Sequence, residues 1–454
     1  MTLVMKFGGS SVADAECMKQ VASLVEAAAA RGALVVLSAM GKTTDGLFVA
    51  ARAAERGDLD LALSTAAQLR ARHEESARAL FDGAIPSELR TGLAMHFDAL
   101  DVLLRGVAML RELSPRSLDA IAGTGELSST RVFAALLRAR GLDSTWFDAR
   151  DALLTDRRFG QARPNVAQFK DRVQSHLSPL VCPGRAVVTQ GYIGATEDGL
   201  TTTLGRGGSD YSAALFGAAL RVDEVQIWTD VEGVMTCDPR QVPAARPIAR
   251  LGFAEAAELA AFGAKVLHPA TIQPAVEAAI PVTVRHTFRP DGRFTTITAD
   301  GSSGRIVTAL AARGPITVLT VTSSRMLEQS GYLARLFDVF GRLGVSVDLV
   351  TTAEVSVSLS VDADAPLDRL LAELAPIATV EVARDRAIVS VIGERLKAQP
   401  GLPARVFTTL GDIEVEMISL GANEINLSVV VRKEIVGEAL TRLHRGLIEV
   451  GGDA

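Results

Sequence analysis

Through residues 1–300, short runs of aliphatic and β-branched residues alternate with stretches whose apolar positions recur every three to four residues. That alternation predicts an α/β domain built on a largely parallel sheet. "TLVMKF" (2–7) reads as a short strand that stops at Gly8-Gly9, and "DAECMKQVASLVEAAAARG" (14–32) as an amphipathic helix closed by Gly32. The β-branched content of "ALVVLSA" (33–39) predicts a buried strand. Residues 47–113, rich in Ala, Leu, Arg and Glu, read as a long helical insertion. "RAVVTQGYIGA" and "EVQIWTDVEGV" supply later strands, and "FAEAAELAAFGAKVLHPATIQPAVEAA" later helices. After the Gly/Thr/Ser-rich stretch "RHTFRPDGRFTTITADGSSGR" (285–305) the texture changes.

Beyond it lies an internal repeat. "LARLFDVFGRLGVSVDLVTTAEVSVSLSV" (333–361) lines up with "PARVFTTLGDIEVEMISLGANEINLSVVV" (403–431), each offering an amphipathic helix, a strand, a turn and an alternating strand. Another strand precedes each copy, "ITVLTVTS" or "AIVSVIGE". Two such units predict two small α+β modules, each burying a helical face on an antiparallel sheet. The expected division is a first domain over 1–300, a connector over 301–312, and modules over 313–385 and 386–454.

Composition narrows the function. A chain of 454 residues with 48% hydrophobic and 22% charged residues is ordinary globular material. A formal charge of −6 gives no electrostatic reason to expect nucleic acid or an anionic membrane. No apolar run approaches the roughly 20 residues of a membrane span, and "MTLVMKFGGSS" lacks the parts of a signal peptide. Cys17, Cys182 and Cys237 are odd in number and far apart, which excludes a zinc ribbon or a disulfide framework and suits a reducing cytoplasm. The six histidines are scattered, and no metal-binding set is expected.

The polar residues gather around glycines. "KFGGSS" (6–11) joins a strand to two glycines and an expected helix N-terminus, where unpaired N–H groups make an anion site within reach of Lys6. "TTTLGRGGSDYSAALFG" (201–217) offers a second cradle, with Arg206 available for a bidentate grip on a carboxylate. A tight turn alone would also produce Gly-Gly after a strand. "WTDVEGVMTCDPR" (228–240) places Asp230 and Asp238 after a strand, where open α/β sheets put substrate and metal groups. "GTGELSS" (123–129) puts Glu126 at an expected helix start, where it would equally serve to complement the dipole.

Taken in order, "KFGGSSV", "LSAMGKTTDGL", "GTGELSSTRVFAALL", "QGYIGATEDGLTTTLGRGGSDYSAALFGAAL", "IWTDVEGVMTCDPR" and "FAEAAELAAFGAKVLHPATIQPA" resemble the aspartate kinases over almost the whole chain. The resemblance is closest to the monofunctional lysine-sensitive type, and the repeated modules look like its paired ACT domains. It implies an amino-acid kinase fold over 1–300 and ATP-dependent phosphorylation of L-aspartate to 4-phospho-L-aspartate, the first step towards lysine, threonine and methionine. It further implies Mg²⁺ as cofactor, feedback by an amino acid, read here as L-lysine, and a homodimer or tetramer formed through the ACT modules.

Residue by residue, the resemblance implies that Lys6, Gly8 and Gly9 form the phosphate cradle and that Arg206 grips the aspartate α-carboxylate. Ser38, Thr44 and Glu126 line the same pocket, with Glu126 facing the ammonium, and Asp210 organises the site. Thr229, Asp230, Arg240 and Lys265 fall on the nucleotide side. Met326, Gly331, Tyr332, Leu333, Ser346, Val347, Asp348 and Glu354 match effector positions. Departures are Ser10 for the family's common threonine, Met235 for a tyrosine, and Lys42 in the loop before Thr44. A glutamate or N-acetylglutamate kinase, a non-catalytic sensor and the kinase part of a bifunctional polypeptide are the competing readings.

Overall fold

The computed structural model describes residues 2–263, 269–327, 330–421 and 423–450. It divides into two compact units, residues 1–234 with 267–301 and residues 235–266 with 302–454. Among the described residues no helix is long and apolar enough to cross a membrane.

The first unit opens with β1 (Leu3–Phe7), α1 (Ala15–Ala29) and β2 (Ala33–Leu37). The expected helical insertion is three helices, α2 (Thr43–Glu55), α3 (Leu59–Leu80) and α4 (Ser87–Leu110). Gly57 and Gly83 break it with left-handed φ values of 82° and 91°, and the Asp58 carboxylate caps α3 by accepting from Leu61 N. Next come α5 (Pro115–Ala139), β3 (Asp143–Trp146), α6 (Val166–Arg172), β4 (Arg185–Gln190), β5 (Ile193–Ala195), β6 (Thr201–Thr203), α7 (Gly208–Leu220) and β7 (Glu224–Thr229). The chain then passes through β8 (Arg250–Gly252) and α8 (Phe253–Ala261), which belong to the second unit. It returns with α9 (Pro269–Glu277), β9 (Val282–His286) and β10 (Thr295–Thr298).

Within this unit the strand order is β3-β4-β2-β1-β7-β9-β10. Pairing is parallel from β3 to β9, and β10 is antiparallel to β9. Burial on both faces explains why β2 is an unbroken apolar run. Leu3, Met5 and Phe7 pack with Met18 and Val21 of α1 and Phe133 of α5. Val4, of opposite parity, faces α7, where a Cβ on Gly217 would lie 2.5 Å from Val225. Leu47, Leu69, Phe97 and Leu104 form a separate core for α2 to α5.

In the second unit the elements are β11 (Ala309–Thr322), α10 (Tyr332–Arg342), β12 (Val350–Thr352), β13 (Ser356–Asp362), α11 (Leu367–Leu374), β14 (Thr379–Ile392), α12 (Leu402–Leu410), β15 (Met417–Leu420), β16 (Asn426–Arg432) and α13 (Val436–Leu443). They build one antiparallel sheet in the order β12-β13-β11-β14-β16-β15. The repeat copies are α10-β12-β13 and α12-β15-β16.

Two features were not expected. Ala309–Arg313 of β11 pair with Ile388–Ile392 of β14, and Ile316–Thr322 of β11 pair with Thr379–Arg386, with a register shift between. The later module therefore takes one strand from the stretch that precedes the earlier one, and residues from Ala309 on are strand rather than connector. Segment 235–263 also packs here: Glu255 accepts from Thr308 Oγ1 at 2.6 Å, and Glu258 accepts from Asn423 and Asn426. Leu319, Leu336, Leu359 and Leu370 fill one module and Val389, Val406, Leu427 and Leu440 the other. The alternate residues Ile316, Val318, Ile388 and Val430 form a third cluster on the other face.

Candidate active site

Because β1, β2, β4 and β7 run parallel, their C-terminal ends share one edge of the sheet, the edge at which such sheets bind ligands. Lys6 is the penultimate residue of β1, Ser38 follows β2, Gly191 follows β4, and Thr229 ends β7. Gly9 lets two of these loops close on each other, since a Cβ there would stand 2.8 Å from Gly41 O and 2.9 Å from Ala39 O. The Gly41 amide donates to Gly9 O at 3.0 Å. No long helix begins at this point. A 3-10 turn (Gly9–Val12) intervenes, and α1 starts only after Asp14, whose carboxylate caps it through Cys17 N.

The second glycine-rich stretch does end on a helix. Gly205 and Gly207 adopt left-handed φ values of 79° and 73°, which glycine accepts without strain, and α7 begins at Gly208. Asp210 lies in its first turn, where a carboxylate complements the dipole. Its Oδ1 is 2.6 Å from Lys6 Nζ, and both side chains are largely buried. Ser38 Oγ donates to Ser209 Oγ at 3.0 Å, joining the β2 loop to the same helix turn. Gly191 is obligatory at this point, because a Cβ would meet Ser209 at 2.7 Å. Arg206 is exposed at the tip of the loop and has no partner among the described residues.

Glu126 does not start a helix; it lies in the middle of α5, whose N-terminus is capped by Ser114 through Ser117 N. The glycines around it serve close packing. A Cβ on Gly125 would lie 2.7 Å from Ala39 Cβ and 3.3 Å from Thr43, so the β2–α2 loop can rest on the helix only if position 125 is bare. That approach lets Ala39 N donate to Glu126 Oε1 at 3.2 Å, while Ser129 Oγ donates to Ser38 O at 2.9 Å. Oε2 is buried and has no partner among the described residues. Burial pushes the carboxyl pKa up to about 8, opposed by the backbone hydrogen bond from Ala39. Thr44 is half-buried at the start of α2; its neighbour Thr43 is buried and donates to Met40 O.

Several residues that organise this edge carried no legible signal. Asp119 is buried and accepts from Gly160 N, Thr203 N and Thr203 Oγ1, fixing β6 just before the Arg206 loop. Gln190 donates to Thr130 Oγ1 and accepts from Ala149 N. Tyr192 holds a positive φ of 68° while its amide donates to Ser212 Oγ.

The remaining expected residues divide between this edge and the second unit. Thr229 Oγ1 donates to Asp230 at 3.1 Å at the end of β7. Arg240 belongs to the second unit, where its guanidinium is gripped by Asp238. Lys265 lies outside the described residues. Among the described residues no group of three or more His, Cys, Asp or Glu could hold a metal. In the second unit, Gly331 caps α10 with φ 81°, followed by buried Tyr332 and exposed Leu333. Met326 ends a 3-10 turn. Ser346, Val347 and Asp348 lead into β12, and Glu354 is exposed on the turn to β13. Asp348 is already engaged, accepting from Arg313 Nη1 at 2.8 Å, while Arg313 Nη2 donates to Asp362 at 2.9 Å.

Comparison with known proteins places this geometry. A model of the amino acid kinase family matches residues 1–286, and an ACT domain model matches residues 389–447. The lysine-sensitive aspartokinase 3 of Escherichia coli (strain K12) is 39% identical, covering 98% of this chain and 99% of that protein. The chloroplastic aspartokinase 3 of Arabidopsis thaliana is 38% identical, covering 99% of this chain and 82% of its own. The crystal structure of E. coli aspartokinase III in complex with aspartate and ADP matches with a TM-score of 0.85 at 38% identity, over 98% of this chain and 100% of that one. The chain belongs to the amino acid kinase family and, within it, to the aspartokinases.

Proposed function

We propose that this protein transfers the γ-phosphoryl group of ATP to the side-chain carboxylate of L-aspartate, giving 4-phospho-L-aspartate and ADP, with L-lysine as inhibitor. The observation that carries the reading is the Lys6–Asp210 pair, linked through Ser209, Ser38 and Ala39 to the buried, half-satisfied Glu126 carboxylate. This is a site with one cation for phosphate and one acid awaiting a cation. An aspartate substrate supplies the latter: its ammonium meets Glu126 Oε2, and Arg206 takes its α-carboxylate in a bidentate grip. Ser38 and Thr44 line the pocket between.

A carboxylate oxygen is nucleophilic without a general base. It forms the new bond to phosphorus as the bond to the ADP oxygen breaks, and no proton has to move. The protein's work is to hold two anions in line and to offset charge on the transferring group. Lys6 does so as a point charge fixed by Asp210, beside the backbone of Gly8 and Gly9. Mg²⁺ would add charge neutralisation. The lack of an acidic cluster among the described residues fits an ion held mainly by nucleotide phosphates and water. Thr229 and Asp230, with Arg240 and Lys265, are assigned to the nucleotide.

The effector is assigned to the first ACT module, at the N-terminus of α10 and the Ser346–Asp348 stretch, and self-association to the ACT modules, whose edge strand β12 exposes Val350. The protein would work in the cytoplasm. An ADP-release assay with L-aspartate, L-glutamate and N-acetyl-L-glutamate, repeated with L-lysine and L-threonine, tests the reading. Turnover confined to aspartate and inhibited by lysine is expected; preferred turnover of either glutamate compound overturns it. Light scattering at assay concentration checks the dimer or tetramer.

A further inference from the structure

We propose that a cavity between α4, α5 and the edge strand β3 is a binding site for a small oxyanion, of the size of phosphate or a short dicarboxylate. The cavity measures about 270 Å³ and is lined by Arg131 and Arg138 of α5, Glu88 of α4, and Ser144, Thr145 and Trp146 of β3. That volume suits one small anion.

Its charge is only partly offset, by Asp148 and Glu88 acting on Arg131 without a hydrogen bond to it. The Arg131 guanidinium carbon stands 3.9 Å over the Trp146 ring, and its Nε donates to His96 Nε2 at 2.9 Å. Burial, with Arg131 and Arg150 nearby, pushes the His96 pKa down to about 4, so the ring is a neutral acceptor that positions Arg131 without cancelling its charge. The two terminal guanidinium nitrogens of Arg131 have no partner among the described residues. Asp148, the nearby acid, is already held by Arg150 through Nε and Nη2 at 2.9 and 2.7 Å. Glu88 lies only within 3.9 Å of Arg138, with a side chain that is 82% exposed.

A second, independent observation points the same way. Ser144 is buried at 6% exposure, lines the cavity, and its Oγ has no partner among the described residues. A buried hydroxyl without a partner is costly unless a ligand supplies one. The platform is also rigid, because Trp146 Nε1 donates to Thr130 Oγ1 at 3.0 Å. A free guanidinium fork, a second arginine, a hydroxyl and a fixed aromatic wall match an anion with several acceptor oxygens.

The test is titration of the full-length protein at low ionic strength with inorganic phosphate and, separately, succinate. Trp146 emission is followed in Trp228→Phe, where it is the sole tryptophan, and circular dichroism checks folding. Saturation by either anion is expected, and which one binds distinguishes the two sources. Arg131→Gln should weaken it at least about tenfold and Ser144→Ala about threefold, as for hydrogen bonds to a charged group. Lys6→Ala, which disarms the phosphate cradle at the sheet edge, should leave it intact. The site is refuted if neither anion saturates, if affinity survives Arg131→Gln, or if the response disappears in Lys6→Ala. Should Arg131→Gln fail to fold, unchanged affinity in Ser144→Ala refutes it equally.

Discussion

Lys6 Nζ lies 2.6 Å from Asp210 Oδ1, although one residue sits near the end of the first strand and the other in the first turn of the seventh helix. Parallel pairing of β1 with its neighbours brings the strand end to that helix, and the left-handed Gly205 and Gly207 turn the helix towards it. On the proposed reading the pair would hold a cation ready where phosphoryl charge develops, so that little reorganisation is needed during reaction.

Lys6→Ala should therefore lower kcat by roughly 10²–10³, the usual cost of removing one preorganised charge-stabilising group. Its circular dichroism spectrum should be unchanged, because the apolar residues of β1 remain. Near-normal turnover by a folded Lys6→Ala protein would remove Lys6 from the chemistry.

Arg206→Lys should raise KM for aspartate far more than KM for ATP. A planar guanidinium makes two parallel hydrogen bonds to a carboxylate, and an ammonium cannot. Steady-state kinetics with each substrate varied in turn decides the matter; equal effects would assign Arg206 to the nucleotide.

Glu126 gives a pH signature of definite sign. Its folded pKa is raised from 4.5 to about 8 by burial, so the ligand-free protein holds a proton that the unfolded chain releases. Stability of the free protein should accordingly fall as pH rises from about 4.5 to about 8. Glu126→Gln should flatten that slope, and saturating aspartate, by supplying an ammonium, should do the same in the parent. Urea unfolding at stepped pH measures it. Identical slopes in parent and variant would mean that burial does not hold the proton.

Much of this site was legible because its strands are β-branched runs and its loops are concentrated in Gly, Ser and Thr. What misled was glycine. In "GTGELSS" the small residues suggested a helix start, yet they lie inside α5, where bare positions let Ala39 and Thr43 approach. Nothing local distinguishes a glycine kept for close packing from one kept for a turn; the neighbour that requires it is distant in sequence. The same holds for Asp119, whose partners Thr203 and Gly160 are distant in sequence. The sharing of β11 between both modules was likewise hidden, since a strand's sequence shows its two faces but not its partners along each edge.

Two glycines make that distinction measurable. Gly125→Ala places a Cβ 2.7 Å from Ala39 Cβ and should destabilise the protein by about 1–3 kcal/mol, the range for overpacking. It should also weaken aspartate binding, because the shift disturbs the Ala39–Glu126 hydrogen bond. Gly106→Ala in α4 meets nothing within 4 Å and should stabilise by about 0.5–1 kcal/mol through helix propensity. Opposite signs in thermal unfolding are expected; a stabilising Gly125→Ala would contradict the packing account.

On the proposed assignment, regulation would turn on a competition at Asp348. In the ligand-free second unit this carboxylate is bound by Arg313, which also holds Asp362, and its Oδ2 is buried without a partner among the described residues. Burial raises the Asp348 pKa, and Arg313 opposes the shift. In that assignment a lysine effector would bring ammonium groups to the open oxygen, and its α-carboxylate would meet the N-terminus of α10 behind Gly331. Asp348→Ala should then abolish lysine inhibition with little loss of basal activity, because Asp348 belongs to the second unit and Lys6, Glu126 and Asp210 to the first. By linkage, lysine should weaken aspartate binding, and aspartate should weaken lysine binding by the same factor. Initial rates over a lysine titration, with lysine affinity measured with and without aspartate, test both statements. Full inhibition of Asp348→Ala would displace the effector from this position, and unequal coupling factors would show that a further species takes part in the equilibrium.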